Sequence, residues 1–411
     1  MKNSLVLILV IGCSFIFFQC NDQLLESQNK PALQLTEAEK KIASSSEEFG
    51  LKLIRKLDTF EAQKNFFVSP LSISYALGMA LNGARNETFT SIQDVMGLNT
   101  LSRDDINYSF LSFTNSLTGI DPKVTFQIAN SVWYKNGFEV EPSFLLDNKK
   151  YFDAFIKELN FADPAASDII NQWVEDKTKG KIKQIIDPPI SSDVIMYLMN
   201  ALYFKGIWTY KFDKNNSYDG SFERYDHTTT TAKYMVQANT FRVYNGQGFS
   251  SIEIPYGENT FSMVVLLPDE DKDLPSVINS LTSDGVKNIF NSALETETKL
   301  ILPRFILEYE IELNDILTQL GMGVAFDAYR ADFTGINKDG GIFISKVKHK
   351  SFISVDDEGT EAAAVTSIEF KRTSLSDSFT VNRPFMFFIK ENTTNTILFT
   401  GIIYEPKPQA N

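Results

Sequence analysis

The sequence predicts an α+β fold built mainly from antiparallel sheets. Helix start signals crowd the first half of the chain. Short β-branched and aromatic runs between turn residues crowd the second half. The composition adds a third observation: 43% hydrophobic residues and 34 Phe among 411 residues supply a large core. No internal repeat or long linker interrupts the chain after residue 36, so one domain over 36–411 is the simplest organisation.

The amino terminus reads as an export signal over 1–19. Lys2 is the only charge before Asp22, and 4–18 is apolar apart from Ser4, Gly12 and Ser14. That run is shorter than the roughly 20 residues of a membrane-spanning helix and has the form of a secretory signal. It ends at Cys20, after which Asn21-Asp22-Gln23 turns polar. A cysteine at this boundary resembles the lipid acceptor of a bacterial lipoprotein. Cys13 is the alternative acceptor, because Val10-Ile11-Gly12-Cys13 fits the small-residue pattern better. Cutting there, however, would leave Phe15-Ile16-Phe17-Phe18 on the mature chain. An ordinary signal would remove both cysteines. In each case the mature chain has no disulfide, and 20–35 reads as a lipid-anchored tether. The expected location is the bacterial cell envelope, at the outer membrane, with secretion as the alternative.

The first helix is expected at Thr36, where Thr36-Glu37-Ala38-Glu39 forms a capping box. Ile42, Phe49, Leu53 and Leu57 mark its apolar face. Ser69-Pro70, a cap followed by a first-turn proline, opens a second helix that ends at Gly83. A third covers 87–96. Then come a strand over 125–135, helices over 142–153 and 164–179, and a buried strand over 194–205. From 222 to 267 short apolar runs alternate with turns, as in an antiparallel sheet. Helices follow near 274–281 and 284–292, a strand over 299–307, and a helix over 313–320 stopped by Gly321. Strands over 342–355, 379–390 and 396–404 complete the chain.

Composition excludes several functions. The formal charge of −13 lacks the basic footprint of a nucleic-acid binder. Two histidines, His227 and His349, leave little for a multi-His zinc site. No metal and no cofactor is expected. Ser345-Lys346-Val347-Lys348 matches a Ser-x-x-Lys acyl-transfer motif, which needs Ser at a helix start. The flanking Ile342, Ile344 and Val347 have strand period instead, which would point Ser and Lys to opposite faces. Gly246-x-Gly248 and Gly321-x-Gly323 lack the third glycine of a dinucleotide site. The acidic run 269–273 and the polar run around His227 read as solvated loops. Asn86, Asn107, Asn215 and Asn392 begin Asn-x-Ser/Thr triplets, which a bacterial lipoprotein would leave unused.

The unusual stretch is Glu358-Gly359-Thr360-Glu361-Ala362-Ala363-Ala364-Val365-Thr366. Its small side chains can pass between loop, helix and strand with little steric cost. It also has a period of two: Thr360, Ala362, Ala364 and Thr366 share one face, Glu361, Ala363 and Val365 the other. As an inserted strand it would bury the small face.

At these residues the chain resembles the serpins, over essentially all of the mature sequence. Asp357-Glu358-Gly359-Thr360-Glu361-Ala362-Ala363-Ala364 is similar to the hinge of inhibitory members. Phe66-Phe67-Val68-Ser69-Pro70-Leu71-Ser72-Ile73, Asn200-Ala201-Leu202-Tyr203-Phe204-Lys205-Gly206-Ile207-Trp208 and Leu302-Pro303-Arg304-Phe305 resemble further signatures. So do Ala331-Asp332-Phe333-Thr334-Gly335-Ile336, Val347-Lys348-His349-Lys350 and Asn382-Arg383-Pro384-Phe385-Met386-Phe387-Phe388-Ile389. The resemblance implies three mainly antiparallel sheets, about nine helices and an exposed reactive loop over about 358–378.

It also implies a monomeric suicide inhibitor of serine proteases, trypsin-like or elastase-like, with reach to cysteine proteases and no catalysis of its own. The target cleaves the loop, an acyl-enzyme forms, and the hinge inserts into the main sheet. The alternative is a non-inhibitory member acting as a protease substrate or binding protein. Carried over residue by residue, Ser69, Ser72, Asn200 and His349 match the family's shutter. Trp208, Arg304 and Asp357 match the breach, with Arg304 and Asp357 expected as an ion pair. The family spacing counted from Gly359, and a count back from Pro384, both give Thr373-Ser374 as the reactive bond. An Arg-specific protease would instead cut Arg372-Thr373, and Lys371 is a third candidate.

Overall fold

The structure is a computed structural model that describes residues 34–360 and 378–407. The signal, residues 20–33 of the tether and both cysteines lie outside the described residues.

Thr36 caps α1 (Glu37–Glu61) as the sequence predicts. Its hydroxyl accepts from the Glu39 amide at 3.3 Å, and the Glu39 carboxylate accepts from the Thr36 amide at 2.6 Å. Ile42, Phe49, Leu53 and Leu57 are all buried. β1 (Phe66–Val68) leads into α2 (Pro70–Gly83), whose cap is the Ser69 hydroxyl. Nearly every residue of α2 is buried, so it runs through the core rather than over it. α3 (Asn86–Val95) and α4 (Arg103–Leu117) follow. The reading above has no α4. Its capping box, Ser102 with Asp105, uses Asp in place of the usual Glu or Gln and is easily passed over.

β2 (Val124–Lys135), α5 (Pro142–Phe152), β3 (Phe155–Leu159), α6 (Ala165–Lys177) and β4 (Met196–Ile207) form the next stretch. β4 was expected to be fully buried, but its residues alternate between buried and half-buried. It has one face on the core and one toward α6. β5 (Tyr218–Glu223), β6 (Thr229–Asn245), β7 (Phe249–Tyr256) and β8 (Phe261–Pro268) are the expected antiparallel run. α7 (Leu274–Ser280) and α8 (Ser283–Ser292) follow.

The strand expected over 299–307 is two strands, β9 (Leu294–Pro303) and β10 (Phe305–Glu312), and they belong to different sheets. The chain changes sheet at Arg304. α9 (Asn314–Leu317) is shorter than expected and passes into a π-helical turn, with Gly321 at φ 118°. β11 (Lys348–Asp356) begins six residues later than read, so Ser345 lies on an irregular exposed segment before the strand. The opposite-face argument against a Ser-Lys pair therefore fails. Lys348 is instead committed to ion pairs with Asp187 and Glu310. β12 (Gly359–Thr360), β13 (Ser378–Thr380), β14 (Phe385–Glu391) and β15 (Ile397–Ile403) complete the described chain. Pro384 separates β13 from β14, which the sequence reading had joined.

Nine α-helices are present among the described residues. The six-stranded sheet has the order β10-β11-β12-β4-β2-β3. Nine strands form a second system, β1-β15-β14-β8-β7-β6-β9-β13 with β5 on β6. β6 is long enough to serve two sheets: its first residues carry β5 and its last four carry β7. The system thus divides into a larger part with β7, β8, β14, β15 and β1, and a smaller part with β5, β9 and β13. With the six-stranded sheet these make three sheets, mainly antiparallel. Phe67, Phe387 and Phe399 stack in the core between them.

The weaker motifs resolve as turns and loops. Gly246 and Gly248 form the β6–β7 turn. His227 is exposed in the β5–β6 turn, its Nδ1 2.7 Å from Glu223. In the run 269–273, Asp273 caps α7. Among the described residues no group of His, Cys, Asp and Glu is arranged to hold a metal.

Candidate functional site

β4 and β11 run in the same direction in one sheet, and β12 lies antiparallel between them. Val355 and Asp356 pair with Thr360 and Gly359 on one side. Gly206 and Ile207 pair with Thr360 and Gly359 on the other. Below β12 no ladder joins β4 to β11 among the described residues.

The sequence explains the tight reversal that produces β12. The Asp356 carboxylate accepts from the Glu358 amide at 2.9 Å, an Asx turn. Gly359 then adopts φ 149°, and a Cβ there would stand 2.1 Å from the Gly206 carbonyl oxygen. Only glycine fits. Thr360 follows as a buried residue, and its hydroxyl lies 2.8 Å from the Tyr256 hydroxyl.

An aromatic and charged frame surrounds this reversal. The Trp208 indole nitrogen donates to the Asp356 carbonyl at 2.8 Å, and its backbone amide donates to the Glu358 carbonyl at 2.9 Å. The Trp208 ring stacks on Tyr256 with centroids 4.3 Å apart. Arg304 reaches Asp357 at 2.5 Å, and the Ser217 hydroxyl donates to the other Asp357 oxygen at 2.7 Å. Lys214 pairs with Glu358 at 2.7 Å. Burial pushes the Asp356 carboxyl above its usual range and the Tyr256 phenol well above its own. The hydrogen bond to Glu358 raises the Lys214 ammonium. The sequence named Trp208, Arg304 and Asp357, and the structure brings them into one cluster. Trp208 contacts the neighbouring Asp356, not Arg304.

The second cluster lies deeper, where α2 begins beneath the sheet. The Ser69 amide donates to His349 Nε2 at 3.2 Å, and the Ser69 hydroxyl donates to the Leu398 carbonyl at 2.7 Å. The Ser72 hydroxyl donates to the Asn200 carbonyl oxygen. The Asn200 amide donates to Asn130 at 2.8 Å, and Asn130 donates to the Phe152 carbonyl at 2.7 Å. This places Ser69, Ser72, Asn200 and His349 in one connected network that joins α2 to β4 and β11. Accepting a bond at Nε2 requires a neutral His349 ring, and burial pulls its pKa down to about 4. His349 Nε2 accepts from a backbone amide, and the nearby Ser69 and Ser72 hydroxyls are committed to Leu398 and Asn200, so the geometry assigns His349 a structural bond.

Glu358, Gly359 and Thr360 of the expected hinge are described. Glu361, Ala362, Ala363 and Ala364 lie outside the described residues, as do Lys371, Arg372, Thr373 and Ser374. Sequence reasoning missed Tyr256, Ser217, Lys214 and Asn130. Tyr256 and Thr360 are 104 positions apart, and nothing local to either residue predicts their contact. Asn130 had a usable signal, a polar residue that breaks the apolar alternation Val124, Phe126, Ile128 along β2.

The arrangement holds a strand edge on each side of β12. Residues 44–406 match the family model described as Serpin (serine protease inhibitor). The chain is 33% identical to human Serpin B8 over 366 residues, covering 87% of this chain and 97% of that protein. It is 31% identical to the leukocyte elastase inhibitor of Xenopus tropicalis, covering 89% and 99%. The native-state crystal structure of the thermophilic serpin Tengpin superposes with a TM-score of 0.82 at 31% identity, over 90% of this chain and 95% of that one.

Proposed function

The chain belongs to the serpin family, whose general activity is protease inhibition, and from that premise we propose that it traps serine proteases as a suicide substrate. The observation that carries the reading is β12. The first hinge residues already sit between two strands, paired on both sides, with Thr360 buried.

In this reading the target's serine attacks the carbonyl of Thr373 or Arg372. The peptide bond breaks, the new amine leaves on the carboxy-terminal fragment, and the acyl-enzyme remains on the hinge side. The freed segment then extends β12 between β4 and β11 and carries the protease with it. Each inserted residue exchanges solvated backbone groups for ladder hydrogen bonds, about 0.5–1.5 kcal/mol net each. Over about a dozen residues the sum reaches the ~5–15 kcal/mol of a typical domain. The uncleaved protein is therefore held by a kinetic barrier. Cysteine proteases form an analogous thioester and fall within the same reading.

Mixing the protein with trypsin and with elastase tests this. A covalent complex stable in SDS is expected, and sequencing the released peptide assigns the bond to Arg372-Thr373 or Thr373-Ser374. Cleavage without a complex with either enzyme would reject the inhibitory reading and favour a non-inhibitory member.

For location, we propose export and lipid attachment at Cys20, on the bacterial outer membrane, from the apolar run that ends at this residue. Incorporation of labelled palmitate should be lost in Cys20→Ser and kept in Cys13→Ser. The reverse pattern would move the acceptor to Cys13.

A further inference from the structure

The two ends of α8 are held in different ways. At the carboxy-terminal end Arg242 of β6 donates to the Phe290 carbonyl at 2.7 Å and pairs with Glu253 of β7 at 3.1 Å. Lys390 of β14 completes this network, 3.0 Å from Glu253 and 5.1 Å from the centre of the Phe290 ring. Every charge in it sits beside an opposite one. Toward the amino-terminal end the helix meets a lone carboxyl. α8 packs on α1, and Glu47 of α1 is only 7% exposed. Its Oε1 and the neighbouring Ser46 hydroxyl are buried without a hydrogen-bond partner among the described residues. The groups that face Glu47 are Ser283, Asp284 and Lys287 of α8 and Glu48 of its own helix. Lys287 is exposed and attracts it through space, while Asp284 and Glu48 repel its charge.

We propose that Glu47 is a proton-linked latch on α8: its carboxyl lets the amino-terminal end of the helix close on α1 while protonated, and loosens that end once charged. A carboxylate in this seam gives up water and gains no donor at Oε1, so the neutral acid is the form the closed seam favours. Burial accordingly pushes the Glu47 carboxyl up to about 7, against the pull of Lys287 and Ser283. Opening the seam returns it to water, where glutamic acid ionises near 4.5. Between these values the closed seam binds more protons than the open one. Its stability therefore falls as pH rises through this window and levels off above it. His349, pulled down to about 4 by burial, acts in the opposite sense. The ion network at the other end of α8 keeps its charges paired throughout, so the helix pivots on that end rather than leaving the sheet.

Native-state amide hydrogen exchange of the whole protein between pH 4.5 and 8, corrected for the intrinsic pH dependence of exchange, is the test. In the wild type, protection of the α8 amides should fall about tenfold or more across the window, a factor of ten for each unit by which the carboxyl is displaced. Glu47→Gln keeps the shape of the side chain and cannot ionise, so its α8 protection should stay flat. Lys287→Met removes an attraction and should carry the fall to higher pH. Asp284→Asn removes a repulsion and should end the fall at lower pH. Both of these positions are exposed, so they read the latch even where Glu47→Gln disturbs the fold. Parallel profiles for the wild type and Glu47→Gln, or shifts of the Lys287→Met and Asp284→Asn profiles in the same direction, would overturn the proposal.

Discussion

The cluster around Asp357 and the cluster around Asn200 lie at two levels of the same six-stranded sheet, yet one is charged and the other neutral. At the upper end a buried carboxylate, Asp357, meets the Arg304 guanidinium at 2.5 Å and the Ser217 hydroxyl. At the lower end Ser69, Ser72, Asn130, Asn200 and His349 exchange neutral hydrogen bonds. The difference has a physical consequence. Separating a buried ion pair leaves an uncompensated charge, which costs several kcal/mol. Separating neutral amides and hydroxyls costs about 1–3 kcal/mol for each group left unpaired, less when new partners arrive. The charged end fixes where the chain reverses; the neutral end can be rearranged.

Four substitutions sharpen or break this contrast, from the largest expected effect to the smallest. Thr360→Arg would put a guanidinium where a buried hydroxyl meets Tyr256. Burying that charge without a partner should block strand entry. SDS-stable complexes with trypsin and elastase should disappear while cleavage continues; retained inhibition would count against insertion through β12.

Arg304→Met should destabilise the protein by about 3 kcal/mol, because Asp357 would stay buried without its direct ion-pair partner, held by the Ser217 hydroxyl. The urea unfolding midpoint measures this. Adding Asp357→Asn should recover most of the loss, and no recovery would show that the charge is not the cause.

The lower cluster responds to acid instead. His349 is neutral in the fold, with a pKa near 4 against an ordinary 6.5. Between these values the unfolded chain binds more protons, so stability falls as pH drops from about 6.5 to 4. The loss should reach about 3 kcal/mol. It is read as the difference between the wild type and His349→Gln, which should lack this slope. Parallel pH profiles for the two proteins would contradict a neutral His349.

Tyr256→Phe removes one buried bond to Thr360 and should cost about 1 kcal/mol. It should also leave the Trp208 stack intact, so a large change in tryptophan emission would contradict a local effect.

Legibility in the sequence followed the range of the contacts involved. The capping box at Thr36 and the Ser69-Pro70 start are local, and both helices begin where expected. β9 and β10 follow one another with only Arg304 between them; what divides them is the choice of sheet, made by distant partners on β6 and β11. The same is true of β11. Ile342 and Ile344 have strand period, but no partner strand continues there, so the ladder starts at Lys348. In the candidate site Gly359 was legible as part of the hinge motif; that its reversal against the Gly206 carbonyl demands glycine is visible only in the fold. Tyr256 and Ser217 were not, because their roles exist only after β4, β7 and β11 have assembled.

β12 has a kinetic meaning beyond its two residues. The slow part of adding a strand is the first contact, which must close a loop before any ladder bond compensates for the lost chain entropy. Here that first contact is built into the described structure, aligned with both neighbours and locked by a glycine that no other residue can replace. In the proposed mechanism strand addition would be growth from an existing seed, as in a crystal that no longer waits to nucleate. The race against hydrolysis of an acyl-enzyme would be decided by how fast the seed grows.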